Sequence, residues 1–278
     1  MRENAFRRFI KRKPSVIGGI VLLIFLLMAV CGPQLCRYDP NKVDLTAIYQ
    51  PCSLTHLLGT DNLGRDTLTR IIYGSRVTLS ISFAGVFAGS FLGVILGVCA
   101  GYYGGVIDSV LSRIMDILLS FPTLLMAIAV VAILGSGVQN TIIAIGFSSI
   151  PTVARMVRSI VVSIKNAEYV QACHVMGISH FRIITTHIIP NSMSQIIVNT
   201  TLNLGTGILS ASSLSFLGLG VVPPNPEWGA MLSTAREVLR TFPLAALAPG
   251  VAITLVVLSF SLVGDGLRDA LDPKLKNS

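Results

Sequence analysis

His174, His180 and His187 lie close together in the sequence, with Cys173 beside the first of them. Imidazoles titrate near neutral pH and ligate transition metals, so any acid–base or metal chemistry would be sought here first. No further cysteine or carboxylate set completes a metal site at ligand spacing. The three are therefore read as polar surface residues, with no metal and no catalytic group. No Gly-Lys pair occurs anywhere in the 278 residues, which excludes a phosphate-cradling loop of the Walker type. A second set is more telling. Asn199, Asn203, Thr206, Ser210 and Ser213 follow one another at steps of four, three, four and three, which places all five on one face of a helix. Neutral hydroxyls and carboxamides on such a face would wet a path for a polar solute without gripping it. The same groups also form hydrogen bonds between helices packed in a membrane, and both readings stand at this point.

The elements that must carry these residues follow from composition. The chain is 52% hydrophobic and 12% charged, with a mean hydropathy of +0.74. Soluble domains carry about 25% charged residues, so the chain belongs in a lipid bilayer. A net charge of +8 would suit a nucleic-acid binder, but the basic residues sit between apolar segments rather than on one face, and no nucleic-acid partner is expected. Five cysteines, Cys31, Cys36, Cys52, Cys99 and Cys173, are scattered. Cys36 and Cys52 fall in one extramembrane segment, where either a disulfide or two free thiols is open.

A helix crosses the hydrocarbon in about 20 apolar residues. Six stretches qualify, at about 15–35, 77–101, 113–134, 141–162, 194–217 and 243–264. The basic run Arg7 to Lys13 before the first suggests a signal peptide, but Met28-Ala29-Val30-Cys31 is a poor cleavage site and the segment is read as an uncleaved first helix. Gly135-Ser136-Gly137 breaks the third and fourth spans into a hairpin. With the N-terminus inside, the cytosolic segments hold six basic residues in the tail, Arg113, four from Arg155 to Arg182, and three from Arg268 onward, fourteen of the twenty-one. That excess places both termini in the cytosol. Asp116, Arg113, Arg155 and Arg158 are placed near cytosolic span ends, leaving the middles of the spans uncharged. Ion-coupled carriers usually need intramembrane charge, so a secondary carrier is the rival that this pattern disfavours, and a non-transporting receptor or scaffold is a second.

Gly85, Gly89, Gly93, Gly97 and Gly101 recur every four residues and predict a groove that another helix backbone enters. Outside, Asp66 predicts a cap on a short helix from Thr67 to Tyr73. Asn225-Pro226-Glu227 predicts the start of another, with Trp228, Met231, Leu232, Ala235, Val238 and Leu239 on an apolar stripe opposite Glu227, Arg236 and Arg240. Inside, 165–190 is too polar and too long for a turn. Glu168 to Met176 predicts a short helix with Tyr169, Cys173 and Met176 on one face, and Gly177 ends it in a left-handed conformation. Ser179 then caps a second short helix, which Pro190 separates from the fifth span.

Glu168-Tyr169-Val170-Gln171-Ala172-Cys173-His174-Val175-Met176-Gly177, continuing to His187-Ile188-Ile189-Pro190-Asn191, resembles the EAA loop of binding-protein-dependent ABC permeases. Gln171, Ala172 and Cys173 take the Glu-Ala-Ala places, Gly177 the glycine and Pro190 the proline. Gln171 lacks the family's charge, and Glu168 stands nearby as the replacement. The run His56 to Asp66, Ser215 to Gly220, Pro226 to Met231 and Gly264 to Pro273 resemble the dipeptide/oligopeptide/nickel branch. The resemblance implies an all-α membrane protein with a six-helix type I importer domain: a basic tail and first helix over 1–36, an extracytoplasmic loop over 37–76, the transmembrane core over 77–265 with its coupling loop at 165–190, and a cytosolic tail over 266–278. It implies a bacterial cytoplasmic-membrane permease for peptides, or for nickel or a metal chelate. The implied partners are a second homologous permease, two ATP-binding subunits that carry ATP and Mg, and an extracytoplasmic solute-binding protein. No cofactor is expected on this chain.

Overall fold

The computed structural model describes residues 5–271; the terminal part of the expected 266–278 tail lies outside them. Among the described residues the regular structure is helical, apart from one isolated bridge between Thr60 and Asp66. α1 (Ala5–Lys11) leads into α2 (Lys13–Leu35), the first span, with Pro14 in its opening turn. Gly18 lets α2 lie close to Leu262 and the Ser259 carbonyl, and Gly32 admits Ile72. The extramembrane loop follows, and all five cysteines are free, so Cys36 and Cys52 remain unpaired.

α3 (Thr67–Tyr103) is capped by Asp66, whose carboxylate accepts from the Thr69 amide at 2.8 Å. The separate short helix expected over 67–73 does not exist. No proline stands between Tyr73 and Val77, and Gly74, packed close against Trp228, does not interrupt the helix, so the short helix and the second span form one rod of 37 residues, about 55 Å at 1.5 Å per residue. The glycine groove of α3 is filled by α6 (Val138–Lys165). A Cβ at Gly93 would stand 2.7 Å from Val153, one at Gly97 2.8 Å from Val157, and one at Gly101 2.9 Å from the Arg158 carbonyl.

The predicted third span is broken. α4 (Gly105–Leu119) and α5 (Thr123–Leu134) meet at 91° across Ser120-Phe121-Pro122. Proline disfavours the helical conformation in the residue before it and has no N–H to continue the ladder, and a window average of apolar residues does not register this. Gly104 and Gly105, at φ of 69° and 56°, make a second joint at the other end of α4.

After α6 come α7 (Glu168–Val175) and α8 (His180–Ile183), then a single π turn over Ile184–Ile188, and α9 (Ile189–Phe216). α10 (Trp228–Ala235) and α11 (Leu244–Leu271) complete the chain, so 266–271 are helix rather than tail. Among the described residues, α2, α3, α6 and α11 are long and apolar enough to cross a membrane, and α4 with α5 is a fifth if the bent pair counts as one. α9 is 28 residues long and uncharged, but its polar content keeps it out of that class, so four or five of the six expected spans fall within it.

α3, α6 and α11 run parallel, and α2 and α9 run the opposite way. At one end of the bundle Arg12 pairs with Asp269, and Tyr102 on α3 reaches His180 on α8. At the other the Gly137 amide donates to the Gly220 carbonyl at 2.9 Å, which closes the predicted hairpin turn against the α9–α10 connection. There Tyr49 also stacks on Phe242 with centroids 5.0 Å apart, and Arg70 donates to the Pro40 carbonyl at 2.7 Å. Phe25, Ile81, Ile208, Trp228, Val256 and Phe260 form the main core between α2, α3, α9, α10 and α11. A second cluster, with Val157, Val161, Val170, Ile183 and Ile188, seats α7 and α8 on the end of α6.

Candidate functional site

The segment 165–190 is a two-helix platform fixed by its apolar underside. Val170 and Cys173 are buried, whereas Glu168, Gln171 and Ala172 are exposed. Gly177 takes φ of 73°. The Ile178 amide bonds back to the Cys173 carbonyl at 3.1 Å and the Gly177 amide to that of His174 at 3.0 Å. This six-to-one and five-to-two pair is the Schellman ending of a helix, and it requires a left-handed residue at the position of Gly177. Nothing lies within 4 Å of a Cβ placed there, so the demand for glycine is conformational and not steric.

Three expectations about this platform need correction. α7 ends at Val175, and Met176, 69% exposed, does not share a buried face with Cys173. Ser179 precedes α8 but its hydroxyl makes no capping bond. Pro190 does not separate α8 from the fifth span: the helix passes through the π turn, with the Ile189 amide bonded to the Ile184 carbonyl. The wider turn shifts the bonding register just ahead of Pro190, so that its missing N–H falls in the first turn of α9, where it is tolerated. The outer surface of the platform carries Val175, Met176 and Phe181, exposed at 69–89%. His180 shares a 2.9 Å hydrogen bond with the Tyr102 hydroxyl, and His187 stands 3.6 Å from the Cys173 sulfur. No group of three metal-ligating side chains occurs among the described residues.

Asn199, Asn203, Thr206, Ser210 and Ser213 all lie on α9, and none is buried. Asn203 donates to Asn199 at 3.0 Å and Thr206 to the Asn203 carbonyl at 3.0 Å, both within the helix. The residues of α9 that pack on other helices are instead Val198, Leu204, Ile208, Ala211 and Leu214. The polar stripe is therefore only partly covered by this chain's own fold: Thr206 is exposed and the other four are half-buried.

Sequence reasoning missed two features. Asp108 and Asp116 on α4 pair with Arg158 and Arg155 on α6, with Arg158 donating to Asp108 at 2.6 Å through one of two bonds. Arg155 lies ten residues before the end of α6, about 15 Å along the helix, deeper than the span-end position expected for it. Acidic residues eight apart and arginines three apart mark single helix faces, a signal that was readable; which faces meet was not. The second is Glu227, expected on the polar side of the outer helix but fully buried. It replaces Asn225 as the cap of α10, accepting from the Ala230 amide at 2.8 Å and from the Thr78 hydroxyl at 3.1 Å. Burial pushes its carboxyl above the ordinary value, against the lowering effect of these donors. Beside it the Trp228 indole donates to the Ile71 carbonyl at 3.0 Å.

Residues 89–277 match the family described as "Binding-protein-dependent transport system inner membrane component", and residues 1–51 match the "N-terminal TM domain of oligopeptide transport permease C". The chain is 46% identical to a dipeptide transport system permease protein of Alkalihalophilus pseudofirmus, over 99% of this chain and 90% of that one. It is 44% identical to a glutathione transport system permease protein of Pectobacterium atrosepticum, over 98% and 91%. Among solved structures it resembles the inward-facing MetNI methionine ABC transporter, with a TM-score of 0.59 at 19% identity over 74% of this chain and 98% of that one. It also resembles an amino acid ABC transporter solved with histidines, with a TM-score of 0.55 at 16% identity over 71% and 92%.

Proposed function

Because the chain belongs to the binding-protein-dependent inner-membrane components, the permease subunits of ABC importers whose ATPase activity resides in separate subunits, we propose that it forms half of a translocation pathway for di- and oligopeptides. The second homologous permease supplies the other half, two ATP-binding subunits dock on the 165–190 platform, and an extracytoplasmic solute-binding protein delivers cargo at the α10 end. Both termini then lie in the cytosol of the bacterium that carries it.

The observation that carries this reading is the unburied polar face of α9. A row of hydroxyls and carboxamides that the chain's own packing leaves unburied is what a half-channel presents to its partner and its solute. The coupling platform complements it: Glu168, Gln171, Ala172, Cys173, Gly177 and Pro190 belong to a Schellman-closed unit whose outward side mixes apolar Val175, Met176 and Phe181 with polar Glu168, Gln171 and Arg182, suited to a protein partner. Nucleotide-driven closure of the motors would push this unit and bias the spans between outward- and inward-open states through differential contact with each.

The cargo rests on the peptide and glutathione permeases that the chain resembles. It is tested by uptake of labelled dipeptide, oligopeptide and nickel in cells with and without this gene. Loss of dipeptide uptake on deletion, restored by the gene, is the expected result. Loss of nickel uptake with peptide uptake intact would overturn the peptide assignment in favour of a metal or metal chelate.

A further inference from the structure

A cavity of about 310 Å³ opens between α3, α4 and α6, bounded by Gly97 and Ala100, by Met115 and Asp116, and by Arg155 and Arg158. Its volume is at the lower end of the range for small-molecule sites, roughly 300 Å³ and upward. Small residues on α3 leave the space, and charges on α4 and α6 rim it. Asp116 and Arg155 pair across the cavity with side chains 53% and 57% exposed. Counted from the ends of their helices at Gly105 and Lys165, each stands about 15 Å inward at 1.5 Å per residue. Charged side chains within a spanning helix are strongly disfavoured against hydrocarbon and face protein or a water-filled path. The exposed side of this cleft therefore belongs to the aqueous or partner side of the subunit.

The rim carries both signs of charge. Asp116 offers a carboxylate to an ammonium group, and the guanidinium fork of Arg155 matches a carboxylate. Resting on the peptide-import reading above, we propose that this cleft binds the free ammonium and carboxylate termini of the peptide cargo, with Asp116 on the first and Arg155 on the second, while Arg158 stays on Asp108. The Asp116–Arg155 pair is the resting form of the site. Cargo exchanges that one ion pair for two, so binding is weak, as passage through a transporter requires. α4 is free to tilt as the pair opens, because Gly104-Gly105 joins it to α3 and the bend at Ser120-Phe121-Pro122 joins it to α5. Asp108, bonded by Arg158 at 2.6 Å and by the Ser112 hydroxyl at 3.0 Å, keeps the other end of the arm attached.

A phosphatidylethanolamine headgroup carries the same two charges, so the test separates lipid from peptide. The complete transporter carrying Ser112→Cys, a residue lining the cavity, is placed in phosphatidylglycerol nanodiscs, and alkylation at position 112 is timed by mass spectrometry. Millimolar alanyl-alanine is expected to slow alkylation by about fivefold, the value for a ligand at roughly four times its Kd. N-acetyl-alanyl-alanine amide, which lacks both charges, should have no effect, and Asp116→Asn or Arg155→Gln should abolish the protection. Protection by the blocked peptide, or none by the free one, overturns the site. Slowing by phosphatidylethanolamine without peptide overturns it in favour of a headgroup. Dipeptide uptake by the same complex is measured in parallel: no uptake defeats the cargo reading, whereas uptake without protection at position 112 defeats this site alone.

Discussion

Gly177 occupies a place that any other residue would strain. Its φ of 73° closes the Schellman turn between α7 and α8, and open space surrounds it. Replacement by valine would cost about 1–3 kcal/mol in local backbone strain, concentrated on the platform proposed to receive the motor. Gly177→Val is expected to reach the membrane at wild-type levels on immunoblots yet to lose ATP-coupled uptake at least about tenfold, as 1.4 kcal/mol at the coupling step would require; normal uptake would refute the coupling assignment. That turn was legible, because a lone glycine ending a short helix has few other meanings. The role of Glu227 was not, since a carboxylate at the start of an outer helix reads as solvated until Thr78, far away in sequence, is seen to meet it. Its raised folded-state pKa means that the folded chain keeps a proton over a pH range where the unfolded chain has released it. The sign follows from linkage: stability from this group is full below the unfolded value and is lost as pH rises through the folded one. The melting temperature of the wild type should therefore fall relative to that of Glu227→Gln as pH is raised from the ordinary glutamate range toward neutrality. Parallel melting curves across that range would show that Glu227 titrates normally.

At the level of the elements, the contact between α3 and α6 dominates the fold, and it was visible beforehand as glycines recurring every four residues. Periodicity identifies a face that wants a close neighbour, and only one of the partners must be small for the backbones to approach. Gly97 makes the point testable. A Cβ there would stand 2.8 Å from Val157 and 3.1 Å from the Arg158 amide, which belongs to a rigid helix and cannot move aside. Gly97→Leu should separate the two helices, with an overpacking cost of about 1–3 kcal/mol or more, and lower the yield of monodisperse protein in detergent by several-fold. Gly19→Leu, where no atom lies within 4 Å of the added Cβ, should leave that yield unchanged, and equal losses in the two variants would mean that the groove is not tightly filled. The break between α4 and α5 escaped notice for a related reason. Apolar composition says that a segment lies in lipid, whereas Pro122 decides its direction, and only the second property produces the bend and the jointed α4 arm. The fifth span shows the converse: polar spacing along α9 was readable, and its partial exposure became apparent only when the opposite face was seen to take up the packing.

For the whole molecule, the decisive property is which end of the bundle faces which compartment. Contacts between elements tie each end together: Arg12 with Asp269 and Tyr102 with His180 on one side, Tyr49 with Phe242 and Gly137 with Gly220 on the other. A single orientation therefore assigns every loop at once. The proposed orientation rests on the excess of arginine and lysine on the first end, which it assigns to the cytosol, with the strap over 37–66 facing outward. Leu54 is 97% exposed on that strap and Val175 89% exposed on the platform, so cysteines placed at these two sites report opposite compartments without disturbing the core. In intact spheroplasts a membrane-impermeant maleimide should label Leu54→Cys, above the background set by the native thiols, and should spare Val175→Cys. In inverted vesicles the preference should reverse. Labelling of Val175→Cys from outside would place the platform on the wrong side for any cytosolic motor, and the importer mechanism would fall with it.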